Sequence, residues 1–319
     1  MHSDSTRQSS KSLIARYIVS GLILVVFIAF VEVYFGWSTL LRPWRQLPYE
    51  QILMAVVLVF ISYWVRAMRL YDYFRHEMLD AFVLCFKLML QHNLLNNLLP
   101  MRTGELSFPL LMARYFNVPM TRSVPVLLVF RLLDLHTLIL FALLAAITYW
   151  LEPFTAIVLL AGWSVLPWLA FRFSGRLLAL LNERPAAGKL YSLIRQALAG
   201  LPQTPARFYM AWLWTLINWA VKLGVFAWVL MLFIDVPLAA AWTGAIAGDL
   251  TTVLPVHGVA GAGTYEAGVV AGLMPFNATA SAALPAAVNL HVFVLASTLI
   301  GGAISLMLVT GKTHGKAHG

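Results

Sequence analysis

A few ionisable residues interrupt an otherwise apolar chain, and their types point to anion binding and proton exchange rather than covalent catalysis. Arg102 and Glu105 follow Pro100, Arg131 and Asp134 lie three apart, and Lys222, Asp249, His257 and Glu266 fall in the second half. A charge in hydrocarbon costs about 3 kcal/mol, so it is paired, wetted or functional. A guanidinium fork matches phosphate, and helix N-termini add partial positive charge, which makes Arg102 the first candidate for an anion. The alternative is an interfacial arginine that snorkels to water. Arg131 and Asp134 share a helix face and can pair, either as pure structure or to meet Arg102 and Glu105. Asn93, Asn96 and Asn97, with Gln91 and His92, form a polar run before Pro100. They line a wet cavity or hydrogen-bond between helices. Asp249 and Glu266 either carry a proton or sit in structural pairs.

Catalytic and cofactor chemistry has weaker signals. His92, His136, His257 and His291 lie on separate segments with no metal-ligand spacing, and the single Cys85 can form neither a disulfide nor a thiolate cluster. The expectation is no metal, no cofactor and a buried thiol at Cys85. Gly261-x-Gly263-x-x-Glu266 lacks the third glycine and the preceding strand of a nucleotide fingerprint. Gly104, Gly261 and Gly263 instead suit tight turns that bring backbone close to a neighbouring helix. An enzyme acting on a lipid, a transferase or phosphatase with His257 as base and Glu266 as acid, stands as the alternative to a transporter. No catalytic residue is expected under the preferred reading.

The elements that position these residues are membrane helices. Of 319 residues 61% are hydrophobic and 11% charged, against about 25% charged in soluble domains. Continuous apolar runs exclude the alternation of a β-barrel. Six crossings are expected, at residues 13–35, 50–70, 124–150, 154–172, 208–234 and 283–310. Arg7, Lys11 and Arg16 near the N-terminus, Arg176, Arg184, Lys189, Arg195 and Arg207 in the 173–207 connection, and Lys312 and Lys316 at the end put both termini in the cytoplasm. The net charge of +9 is thus topological, and no nucleic-acid partner is expected. Trp37 and Trp44 read as interfacial anchors. Interleaved leucines and basic residues between 174 and 200 read as amphipathic surface helices.

Segments 78–122 and 239–276 fit no simple crossing. Each has an apolar arm, a Pro/Gly-rich middle and a shorter arm: Met78 to Leu99 then Leu106 to Met120, and Ala239 to Leu254 then Thr264 to Met274. Broken backbone at membrane depth needs protein or water around it. The expected architecture is all-α, a single polytopic domain over 1–319. Its two opposed re-entrant hairpins lie in inverted-repeat halves at about 50–150 and 208–310, joined by the amphipathic connection 173–207. Broken helices in matching positions of inverted halves point to a midplane site.

Three motifs carry a resemblance: Asn97-Leu98-Leu99-Pro100-Met101-Arg102-Thr103-Gly104-Glu105, Phe130-Arg131-Leu132-Leu133-Asp134, and Gly261-Ala262-Gly263-Thr264-Tyr265-Glu266. Together they resemble the flippase-like transmembrane family of lysylphosphatidylglycerol synthases, over about residues 10 to 310. The resemblance implies an integral protein of the plasma (bacterial inner) membrane. Its partners would be anionic phospholipids or polyprenyl-phosphate-linked lipids, with a second copy or a lipid-synthesising enzyme as protein partner. No aminoacyltransferase domain follows in these residues, so the chain is not expected to make an aminoacylated lipid itself. The expected function is a lipid flippase with Arg102 on the phosphate. Asn97, Glu105, Arg131 and Asp134 would organise that site, and Asp249, His257 and Glu266 would form the opposite gate or a proton path. A non-transporting subunit of an envelope lipid pathway is the further alternative.

Overall fold

The computed structural model describes residues 22, 25–99, 104–150, 152–183, 188–202, 204–252 and 259–308. Among them every regular element is a helix. Helix α1 (Val25–Tyr34) meets the Trp37–Arg45 stretch at 83°. That stretch comprises α2 (Trp37–Leu41) and a 3-10 turn, Arg42–Arg45. The bend falls at Gly36, whose φ of 71° lies in the left-handed region that glycine enters without a Cβ penalty. The chain continues through α3 (Tyr49–Tyr73), α4 (Phe82–Leu98), α5 (Ser107–Phe116) and α6 (Met120–Trp150). It then forms α7 (Pro153–Glu183), α8 (Lys189–Ala199), α9 (Pro205–Met231), α10 (Leu238–Thr251), α11 (Thr264–Leu273) and α12 (Ala280–Met307).

Five helices, α3, α6, α7, α9 and α12, are long and apolar enough to cross a membrane, and the bent pair at α1–α2 brings the number to six if it is one span. The five answer to the runs expected at 50–70, 124–150, 154–172, 208–234 and 283–310; most of the run expected at 13–35 lies outside the described residues, and the bent pair continues beyond it to Arg45. Local chemistry sets their starts: Pro205 occupies the first turn of α9, where its missing N–H costs nothing. Pro125 and Pro285 each stand at the sixth position of their helices, α6 and α12. Each removes one internal hydrogen bond.

Three expectations change. The crossing expected at 154–172 runs on without a break to Glu183, because leucine and alanine are strong helix formers and Arg172 and Arg176 do not interrupt a helix. Only 11% of its most apolar window is buried, which leaves α7 on the periphery with Phe154 and Ile157 pointing outward. Second, the stretch expected as amphipathic surface helices divides between the end of α7 and α8, an amphipathic and largely exposed helix with one face covered. It packs on α6, the Tyr73 hydroxyl donates to the Gly200 carbonyl at its end, and a Cβ on Gly200 would lie 2.2 Å from the Pro125 carbonyl oxygen. Third, Trp44, expected as an interfacial anchor, has its ring packed on the bundle, its indole N–H donating to Asn289 Oδ1 at 2.6 Å beside Phe233 and Phe293.

The two segments that fit no crossing are helix–break–helix units, with arms trimmed to α4 and α5 and to α10 and α11. Arms α10 and α11 are antiparallel: Gly272 lies against Thr243 and Gly244, and Gly268 against Ala247 and Thr251. Small residues there let backbone approach backbone. At about 1.5 Å per residue, α11, with 10 residues, is about 15 Å long. That is half the roughly 30 Å of hydrocarbon. In the first unit Gly104 sits on the α4 backbone, where an added Cβ would be 2.3 Å from the Leu95 carbonyl oxygen.

Around these units the long helices pair. Helix α3 packs antiparallel to α9, with Ser62 bonded to Asn218 and Arg69 to Thr215. Helix α4 lies antiparallel to α12, through Asn97 to Thr298 and Lys87 to the Leu308 carbonyl. Helix α10 packs on α6, where Trp242 meets Phe141. One apolar core is built mainly on α9 to α12 and another mainly on α3 to α6.

Candidate functional site

Charged side chains collect where α3, α6 and α9 meet. Asp134 on α6, 6% exposed, accepts from Arg69 Nη1 at 2.7 Å and from the Trp219 indole N–H at 3.0 Å, both at Oδ1. Its second oxygen lies 3.7 Å from Arg131 Nη1, and Arg131 Nε reaches Glu105 Oε1 at 3.1 Å. Arg69 also donates to Thr215 Oγ1 at 2.9 Å and stacks 4.3 Å from the centre of the Phe130 ring. Glu105, Arg131 and Asp134 are therefore brought together. Arg66 and Arg69 join them without having been foreseen.

The position of Glu105 depends on the break before α5. His92 Nδ1 lies 2.9 Å from Ser107 Oγ, and that hydroxyl donates to the Gly104 carbonyl at 2.5 Å. The serine oxygen thus accepts from His92. This ties the start of the second arm to α4 two residues from Glu105. Arg102 and His257 lie outside the described residues.

A second cluster lies toward α10, α11 and α12. Lys222 Nζ on α9 is 3.0 Å from Asp249 Oδ1 and 2.9 Å from Oδ2 on α10. Glu266, 2% exposed, places Oε1 2.6 Å from His291 Nδ1 and accepts the Gly263 N–H on Oε2 at 2.8 Å. The far nitrogen of His291 meets the Ala260 carbonyl at 2.9 Å. Ala260, Gly261 and Gly263 all have positive φ, 56°, 80° and 81°, a run of left-handed backbone that folds the break over His291. Tyr265 stacks on that imidazole at 4.5 Å between centroids.

A cavity of about 50 Å³ opens between α4, α9, α10 and α12. It has room for about three to five waters and none for a lipid headgroup. Asn93, Asn96 and Asn97 line one side, Lys222, Asp249 and His291 the other. Asn97 thus belongs with the second cluster rather than with Arg131. A smaller cavity of about 20 Å³ lies among Arg66, Arg69, His92, Arg131 and Asp134. Two links join the regions. Arg66 Nη1 donates to Asn93 at 3.4 Å. Trp219 donates its N–H to Asp134 while Lys222 sits 4.7 Å from its ring centre.

The geometry is that of a polar seam buried inside an apolar helix bundle, and the whole stretch that builds it, residues 16–302, matches the family model described as the lysylphosphatidylglycerol synthase TM region. The chain belongs to this family. Membership and the long apolar helices make it an integral membrane protein of lipid metabolism or transport. The family match encloses both clusters, from Arg66 to His291. No curated protein and no solved structure gives a significant match.

Proposed function

We propose that the chain is a flippase that moves an anionic lipid, a phospholipid or a polyprenyl-phosphate-linked lipid, between the two leaflets. The observation that carries this reading is Arg66. It lies well inside α3, and its one hydrogen bond among the described residues is the long contact to Asn93. Its Nε is buried without a partner, and no carboxylate lies within ion-pair distance among the described residues. A guanidinium in such surroundings is stabilised by an anion, and its fork fits phosphate oxygens. Arg66 sits where the two cavities adjoin, at the point a passing headgroup meets both clusters.

On this reading the short arms of α4–α5 and α10–α11 are re-entrant hairpins of an inverted repeat, and the chain sits in the plasma membrane with both termini in the cytoplasm. The pairing of α3 with α9, and of α4 with α12 as α10 with α6, supports the repeat. The present cavity is too small for a headgroup, so transport requires the hairpins to part. A lipid-synthesising enzyme would supply the substrate.

Leaflet exchange in proteoliposomes tests the proposal, using labelled phosphatidylglycerol, aminoacyl-phosphatidylglycerol and a polyprenyl-phosphate sugar, with mass spectrometry of the same samples. The expected result is exchange of at least one lipid at unchanged mass, reduced at least about tenfold by Arg66→Gln, the loss of about one charge-assisted hydrogen bond. Altered lipid mass, or exchange that Arg66→Gln leaves untouched, overturns it.

A further inference from the structure

The hydrogen bonds around His291 fix where one proton must be. The Ala260 carbonyl can only accept, so the imidazole Nε2, 2.9 Å away, carries a hydrogen. The 2.6 Å approach of Nδ1 to Glu266 Oε1 then needs a proton of its own. Without it, a nitrogen lone pair would face a carboxylate lone pair at hydrogen-bond distance. That proton sits either on Nδ1, as imidazolium beside carboxylate, or on Oε1, as neutral imidazole beside carboxylic acid. In both cases the pair is neutral and holds one proton; stripped of it, the pair becomes a buried negative charge.

We infer that the Glu266–His291 pair is a proton-binding site whose occupancy latches the α10–α11 hairpin to α12 and couples lipid movement to proton movement. The coupling rests on the flippase reading; the proton site does not. Glu266 Oε2 holds the Gly263 N–H and His291 Nε2 holds the Ala260 carbonyl, so this one pair ties both ends of the left-handed turn to α12. The cavity touches His291 and admits water. Release breaks the N–H or O–H bond between the two side chains, passes the proton to a cavity water as hydronium, and leaves the bonding pair on the pair's nitrogen or oxygen. The contact loses its attraction and the turn loses its anchor.

The charged and titratable groups facing the pair come from each packed element. Helix α11 contributes Tyr265, α10 Asp249, α9 Lys222, and α3 Tyr63, with Arg66 one turn further along; α4 presents only the amides of Asn93, Asn96 and Asn97 to the cavity. Lys222 and Asp249 neutralise each other, so deprotonation leaves the negative charge of Glu266 uncompensated beside them. His257 lies outside the described residues.

Glu266→Gln separates proton binding from structure. The glutamine oxygen accepts the Gly263 N–H and its amide donates to a neutral Nδ1, so every hydrogen bond is kept while the exchangeable proton is gone. Infrared pH titration of the protein in nanodiscs, from about pH 4 to about pH 10, reads the site without any lipid assay. A carboxyl or imidazole signal present in the wild type and absent from both Glu266→Gln and His291→Gln is expected. A wild type without such a signal, or variants that retain it, overturns the proton site. In proteoliposomes an imposed pH gradient should raise wild-type exchange about 5- to 150-fold over the rate without a gradient, and Glu266→Gln should bring that ratio to about one. A variant with the wild-type ratio, or a wild type that exchanges lipid without responding to the gradient, overturns the coupling. A wild type that moves no lipid overturns the flippase reading and the coupling with it, and leaves the infrared titration to decide the proton site.

Discussion

Glu105 and Glu266 each follow the break of a helix–break–helix unit, and each pairs with a basic residue six positions after the proline of the next long helix: Arg131 after Pro125, His291 after Pro285. The placements match and the chemistry does not. Arg131 cannot lose its proton, and it belongs to a network with Arg69, Asp134 and Trp219 in which charge is permanent. His291 can exchange its proton, and Glu266 and His291 are almost completely enclosed, whereas Arg131 and Glu105 keep 30% and 21% of their side chains accessible. On the proposed reading, a shared frame carries a fixed cationic site on one side and a removable proton on the other. That division suits a machine in which one region holds an anion while another changes charge state.

The largest effect that would break the comparison is expected at Asp134. Asp134→Asn leaves Arg69 and Arg131 facing each other with one carboxylate fewer, and removing one partner of a buried pair costs about 3–5 kcal/mol. Thermal unfolding in detergent should show it; a shift no larger than that of a surface substitution would mean that water already carries those charges. Next comes Gly272→Val in the α10–α11 packing. A Cβ there meets the Thr243 carbonyl oxygen at 2.6 Å and the Gly244 Cα at 2.8 Å. Both are backbone atoms that cannot rotate away, so the arms must separate, at about 1–3 kcal/mol. Glu105→Gln is milder. Its pair with Arg131 is part-exposed and Arg131 keeps Asp134, so a loss of about 1 kcal/mol or less is expected. An effect as large as that of Asp134→Asn would place the two carboxylates in one inseparable unit.

Much of this frame was legible in the residues. Five of the expected crossings have long helices because apolar runs need no tertiary information to be read, and the breaks before Glu105 and Glu266 announce themselves through proline and glycine. Asp134 stood out because a carboxylate in an apolar helix has few uses. Arg66 and Arg69 did not. They end an apolar run, where basic residues ordinarily mark the interface, yet α3 continues to Tyr73 and carries them into the bundle. His291 was hidden for a different reason: its partner is 25 residues away on another helix, and no periodicity encodes that contact. Trp219 reads as packing until its N–H is seen on Asp134. The length of α7 was missed because arginines at the end of a crossing do not stop a helix.

The smallest expected effect is at Gly162, and it serves as the control for the comparison. Gly162 lies within α7, and an added Cβ would meet nothing within 4 Å. Gly162→Ala should therefore add no clash, and alanine gains about 0.5–1 kcal/mol of helix stability over glycine. Unchanged lipid exchange with equal or slightly raised unfolding temperature is the expected outcome. Loss of exchange in this variant would mean that α7, the least buried of the five long helices, takes part in transport, and the division between a fixed cationic region and a protonatable one would then have to include a third surface.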